Sequence, residues 1–201
     1  MPHFVSNRDE TVRLFKNPIL EYFSHIHPAT PIMVYVPTVA FFAYTAAILH
    51  GAGTSALLFV AGVLLWTLFE YVLHRWAFHY QPKTDLGKKA HFLVHGIHHD
   101  YPRDRTRLVM PLTVSVPLAV IIFVALKSVM GTAAFGLFAG FILGYVVYDS
   151  IHYATHHFTM RSGIGKFLKE YHLRHHYHDD HTAYGVSSPL WDVVFGTKPK
   201  G

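Results

Sequence analysis

The chain has no cysteine, which excludes disulfides and thiolate metal ligands. It is also poor in charge. Asp, Glu, Lys and Arg make up 14% of its 201 residues, where an ordinary soluble domain carries roughly 25%. Hydrophobic residues reach 51%, so the balance favours a membrane protein of one domain, 1–201. The formal charge of +5 does not point to nucleic acid, because the basic residues form no dense run and alternate with apolar stretches. A signal-peptide pattern is also missing. Arg8, Asp9, Glu10, Arg13 and Lys16 interrupt the apolar positions near the start.

Apolar runs are abundant. Pro31 to Leu49 carries no charge, and Ala56 to Leu73 carries only Glu70. Leu108 to Leu126 is again uncharged, and Ala133 to Tyr148 runs directly into Asp149. Nineteen helical residues cover about 28 Å, close to a hydrocarbon core. We therefore expect an all-α integral membrane fold with spans at about 31–49, 56–73, 108–126 and 133–150, paired as two hairpins. His50-Gly51-Ala52-Gly53 reads as the first tight turn. Thr11 to Phe23 fits either a short amphipathic helix on the bilayer or an ordered arm. Lys and Arg cluster before the first span, between the second and third, and after the fourth, out to Lys198 and Lys200, whereas the two short turns hold only Lys127. The positive-inside rule then places both termini, and a cap made of 74–107 and 151–201, in the cytoplasm.

The cap is where histidine recurs. The clusters are His74 and His79; His95, His98 and His99; His152 and His156; and His172, His175 and His176. The two triplets share the spacing H-x-x-H-H. Residues three and four apart share a helix face, so each triplet and the His152–His156 pair are expected to converge. His74 and His79 lie about 140° apart on an ideal helix and converge only if it ends or bends near Trp76-Ala77-Phe78. Neutral imidazole suits Zn, Fe, Cu and Ni. Ten ligands exceed one ion and fit two, at five each or at four each with histidines to spare. His3, His25, His27, His50, His157, His178 and His181 read as structural.

Other residues carry weaker expectations. Glu70 is four before His74, Asp149 three before His152, and His91 four before His95, so each is placed to support a ligand. Asp192 either caps a turn or bonds a ligand histidine. Asp100 and Asp104 pair most simply with Arg105 or Arg107. Arg103, Arg105 and Arg107 stand where the chain re-enters the membrane, placed either to hold a lipid head group or an electron donor or only to follow the positive-inside rule. Tyr148 and Tyr153, with Tyr145 and Tyr171 nearby, are polar-tipped aromatics that read first as an interfacial belt and second as groups placed to orient a substrate carbonyl.

Three chemistries compete. A metal transporter needs ligands inside the membrane, but these spans are ionisable only at their cytoplasmic ends. A zinc hydrolase would need a carboxylate base, and Glu70, Asp100, Asp104 and Asp149 are available. A metal cap seated on apolar helices best suits attack on a lipid chain. Breaking an unactivated C–H bond there calls for a redox metal, iron, with O2.

The stretch from about Glu70 to Thr197 resembles the fatty acid hydroxylase superfamily, and within it the fatty acid and sphingolipid 2-hydroxylases. The resemblance rests on His74-Arg75-Trp76-Ala77-Phe78-His79, the run from His91 to Pro111, His152 and His156, Tyr171 to His176, and the run from Gly185 to Thr197. The histidines alone would also admit sterol desaturases and carotenoid hydroxylases. The resemblance implies four spans under a cytoplasmic cap and two Fe ions on the ten histidines, with zinc as a redox-inert stand-in in purified protein. It also implies O2-dependent hydroxylation beside an acyl carbonyl, on a free acid or an N-acyl sphingolipid in the bilayer. Two external electrons are required. With thirty residues ahead of the first span, the donor is expected to be a separate protein of cytochrome or ferredoxin type. The membrane would be a bacterial inner membrane or the endoplasmic reticulum.

Overall fold

The computed structural model describes residues 4–199, so His3 and Lys200 lie outside it. Among the described residues every regular element is helical. In chain order these are α1 (Pro18–Tyr22), α2 (Thr30–Val72), α3 (Asp85–His91), α4 (Ile97–Asp100), α5 (Leu112–Met130), α6 (Ala134–His157), α7 (Gly163–Tyr177) and α8 (Leu190–Val194). Two π-helical segments, Leu73–Phe78 and Phe92–Gly96, join α2 to the cap and α3 to α4. Two stretches, Thr30–Phe78 and Leu112–His157, are long and apolar enough to cross a membrane.

Helix α2 is broken at Gly51, whose φ of 75° lies in the left-handed region that glycine adopts without steric cost. Both arms of α2 face α6. Tyr35 from one arm and Trp66 from the other each meet Tyr145 edge-on, with ring centroids 5.3 and 5.4 Å away. Gly136, Gly140 and Gly144 form a small-residue stripe on α6 that lets α2 come close. A Cβ on Gly140 would lie 1.9 Å from the Phe59 carbonyl oxygen, and one on Gly62 2.0 Å from that of Leu137. Trp66, Phe138, Phe141, Ile142, Tyr145 and Val146 fill the core beside this contact. Inside it the Tyr35 hydroxyl donates to Ser115 Oγ at 2.8 Å, joining α2 to α5.

The amphipathic stretch at Thr11–Phe23 is helical only over Pro18–Tyr22. Asn17 Oδ1 caps that helix by accepting from the Ile19 and Leu20 amides. Upstream, the Leu14 and Phe15 amides donate to the Glu21 carboxylate rather than to a helical carbonyl. The arm is instead strapped across the segment 99–107. Val5 and Ser6 amides donate to the Asp100 carbonyl, and Ile26 N–H donates to Thr106 O. Arg107 is the buried centre of this strap. It donates to Ser24 O and Oγ, to Val12 O and to Glu21 Oε1, the last at 2.5 Å.

Candidate metal centre

All ten clustered histidines come together at one end of the apolar helices, as two groups of five. One group is His74, His79, His95, His99 and His175; the other is His98, His152, His156, His172 and His176. Within each group the candidate ligand atoms lie within 4.8 Å of one another.

The grouping departs from the helical expectation. Each H-x-x-H-H triplet splits two to one rather than converging. The i, i+4 pairs stay together, so His95 and His99 enter the first group and His172 and His176 the second. The third histidine of each triplet crosses over, His98 to the second group and His175 to the first. The reason is angular. On a 3.6-residue helix i and i+4 differ by only about 40°, whereas the intervening residue points off to one side, where the other group stands.

His74 and His79 converge by a route that ordinary helical spacing does not supply. Leu73–Phe78 is π-helical, and the His79 amide bonds the His74 carbonyl at 3.2 Å, an i+5 link. That wider turn brings residues five apart onto one face.

The Nε2 atoms crowd closely. His79 Nε2 is 3.3 Å from that of His74, 3.2 Å from His95 and 3.0 Å from His175, and His95 and His99 are 2.9 Å apart. In the second group His98 lies 2.8 Å from His152 and 3.0 Å from His176, and His156 is 2.8 Å from His172. Metal–imidazole bonds of about 2.1 Å put adjacent ligand nitrogens at right angles about 3 Å apart, which these spacings match.

The tautomers argue the same way. His74 Nδ1 donates to the Tyr184 carbonyl at 2.6 Å and His175 Nδ1 to the Thr182 carbonyl at 2.7 Å. Each neutral ring has one N–H, so both Nε2 atoms carry lone pairs, and both face His79 Nε2. One proton on His79 cannot serve both acceptors well; a cation between them can. Burial keeps the rings neutral, as ligands must be. It pushes His95, His98, His99, His172 and His176 well below the ordinary imidazole range, with neighbouring imidazoles adding to the effect. Burial first, and nearby imidazoles next, lower His175 to about 3. Half-buried His79 is lowered to about 4, again mainly by burial.

The carboxylates do not bond ligand rings. Glu70 accepts instead from the Val186 amide at 2.7 Å, the Ser187 amide at 2.9 Å and the Ser187 hydroxyl. Asp192 accepts from the amides of Tyr184 and Gly185 and from Thr197 Oγ1. Together they clamp the loop 182–187 that presents the two carbonyls to His74 and His175. Ala183, between those carbonyls, has φ of 58°, the only positive φ outside glycine among the described residues. This strained conformation is held by the bonds on either side of it. Asp149 meets Tyr145 O–H at 3.3 Å, not His152. His91 makes no hydrogen bond through its buried Nε2.

The arginines divide three ways. Arg107 is buried in the strap and pairs with Glu21 and Asp104, so it is not free for a head group or a donor. Arg105 pairs with Asp9. Arg103 remains exposed. Tyr148 lies between Trp66 and His152, each ring centroid 5.6 Å away. Tyr153 stacks on His157 and, with Asp149 and His27, lines a cavity of about 270 Å3. The carbonyls of Thr182 and Tyr184 were not legible in the sequence, because a backbone acceptor leaves no residue-type signal.

Among the described residues, an all-helical fold with two five-imidazole groups that could hold metal, at the end of apolar helices, marks a histidine-rich, membrane-type protein. The fatty acid hydroxylase family model matches residues 59–197, and the chain belongs to that family. It is 45% identical to a dihydroceramide fatty acyl 2-hydroxylase of Arabidopsis thaliana over 70% of this chain and 60% of that one. It is 44% identical to a ceramide very long chain fatty acid hydroxylase of Saccharomyces cerevisiae over 70% of this chain and 37% of the relative. A human fatty acid 2-hydroxylase is 38% identical over 70% and 39%. The chain thus spans 60% or less of the length of these curated relatives. The solved structure of full-length Scs7p, with only its hydroxylase domain visible, superposes at a TM-score of 0.88. It is 36% identical, with 93% of this chain and 72% of that one covered.

Proposed function

We propose that this protein hydroxylates the carbon next to the carbonyl of a fatty acyl chain, carried as a free acid or an N-acyl sphingolipid. The observation that carries the reading is the pair of five-imidazole groups, with no thiolate or carboxylate among them, at the end of apolar helices. The names of the relatives agree with it. Two iron ions held by the ten histidines would supply O2 activation, with two external electrons and two protons consumed and one water released per hydroxyl group formed.

The chain's own residues do the rest. The Tyr184 and Thr182 carbonyls fix the His74 and His175 tautomers, so both Nε2 lone pairs face inward. The fully buried second group excludes water from its side of the centre. Tyr35, Trp66, Phe69, Leu73, Phe141 and Tyr145 line a narrow apolar cleft within the bundle, just below His74, suited to a hydrocarbon chain. Tyr148 stands beside His152 and is positioned to orient a polar substrate group. We read the two arms of α2, with α5 and α6, as four membrane spans in two hairpins, and the histidine end as cytoplasmic, from the distribution of Lys and Arg. A separate electron donor completes the reaction.

The test is direct. Iron-loaded protein in vesicles, given O2, reductant and an acyl lipid, should yield a 2-hydroxyacyl product by mass spectrometry. A product oxidised only on a sterol or carotenoid ring would reassign the substrate class. Metal flux into sealed vesicles without any product would replace the enzyme reading with a transporter.

A further inference from the structure

Helix α8 presents an apolar face that no part of the described chain covers. Val193 and Val194 are 55% and 58% exposed, and Leu190 and Phe195 are exposed beside them. Yet α8 is fixed firmly to α2. Trp191 Nε1 donates to Thr67 Oγ1 at 3.1 Å. The Phe195 ring stacks on Tyr71 with centroids 5.2 Å apart, and the Tyr71 hydroxyl meets Thr197 Oγ1 at 2.9 Å.

These contacts set its depth. Thr67 lies six residues before Leu73, the end of the apolar run, about 9 Å at a helical rise. So α8 lies alongside the last turns of that run, not beyond it. Its bare face continues the exposed apolar band of α2, which includes Leu64. One turn past Tyr71 the polarity changes. Arg75 donates to the Tyr71 hydroxyl at 2.8 Å and lies over the exposed Trp76 ring, and Lys198 follows α8 at the same edge. Acyl-facing aliphatics, then aromatics, then cations is the order of groups met on leaving a leaflet for its phosphates.

We propose that α8 is seated in the cytoplasmic leaflet, with Leu190, Val193, Val194 and Phe195 among lipid acyl chains and Arg75 and Lys198 at the phosphate level. The proposal rests on the four-span reading above. Its consequence reaches the metal centre. Asp192 belongs to α8 and holds the loop whose carbonyls orient His74 and His175, so lipid contact braces one histidine group from outside.

The absence of cysteine makes the test clean. Single cysteines at Val193 and Val194 are labelled with a nitroxide, in full-length protein reconstituted in phosphatidylcholine and phosphatidylglycerol vesicles. Collision with O2 is compared with collision with a water-soluble nickel chelate. Labels at Val60 and Val120, exposed on α2 and α5, serve as lipid references, and one at Glu170, exposed on α7, as the aqueous reference. Oxygen-dominated collision at both 193 and 194, matching Val60 and Val120, is expected. Nickel-dominated collision at 193 and 194, with the references oxygen-dominated, overturns the placement of α8 alone. Nickel-dominated collision at Val60 and Val120 overturns the four-span reading itself. Shielding of 193 and 194 from both reagents, with spin–spin broadening, would assign the face to a second copy and also overturn the proposal.

Discussion

The two histidine groups have the same donors but different surroundings. The group of His98, His152, His156, His172 and His176 is wholly buried. Its Nδ1 atoms on His98, His156, His172 and His176 have no protein partner. The group of His74, His79, His95, His99 and His175 is open at His79 and His99, yet two of its rings are locked by carbonyls from a clamped loop. One group is protected by burial and the other is oriented by hydrogen bonds. Since a bond to a ligand's second nitrogen fixes ring orientation and raises basicity, the open group holds by preorganisation what the closed group holds by exclusion of water.

The largest effect should come from the crossing ligands. His175→Ala should strip one metal per chain from the first group, and His98→Ala one from the second. Both should lower product formation more than about 100-fold, because the two ions act as a unit. Elemental analysis reads the loss; retention of two metals with full activity in either variant would refute the ligand set.

Next comes the clamp. Glu70→Gln keeps the shape but weakens the hold on Val186 and Ser187. Losing such support costs about 10–100-fold in metal affinity, here confined to the first group. A competitive chelator titration should find one weakened and one unchanged site; equal weakening of both would erase the contrast.

Acid should also test how the open group is held. The folded-state values of His79, about 4, and His175, about 3, lie below the free imidazole value of about 6.5. Between those limits the unfolded chain binds more protons than the folded one, so stability falls as pH falls. Metal-free protein should unfold at constant temperature above pH 6.5 and progressively lower towards pH 4. His79→Gln should flatten the upper part of that curve, and an unchanged profile would show that His79 is not held neutral by the fold.

The smallest effect is expected at Ala183. Glycine relieves its positive φ, so Ala183→Gly should leave metal content unchanged and alter the melting temperature by a few degrees at most. A large loss of metal would mean that the strained turn itself, and not its flanking bonds, sets the carbonyls.

Much of this was readable in advance because it rests on composition and local periodicity. The apolar runs and the ten histidines follow from residue type alone. The partition into two groups was not readable, because H-x-x-H-H marks a helical face without saying what stands on either side of it. The His74–His79 pair needed a π turn that no local residue pattern announces. Glu70 was read as supporting His74, four residues away on the same helix, whereas its partners are the distant Val186 and Ser187. Arg107 was read as an interfacial cation or a partner of Asp104; the Asp104 pair is present, but the arginine's other partners Val12, Glu21 and Ser24 come from an arm far back in the chain. Long-range pairing of this kind leaves no mark on local sequence.

The exchange of His98 and His175 between groups has a consequence for biogenesis. Each set of five draws on α7, which follows α2, α5 and α6 in the chain. A nascent chain halted before His172 would offer four donors from His74, His79, His95 and His99 on one side, and three from His98, His152 and His156 on the other. Neither full set of five would exist. Completion of both sets thus waits for α7, after α2, α5 and α6 have all been made.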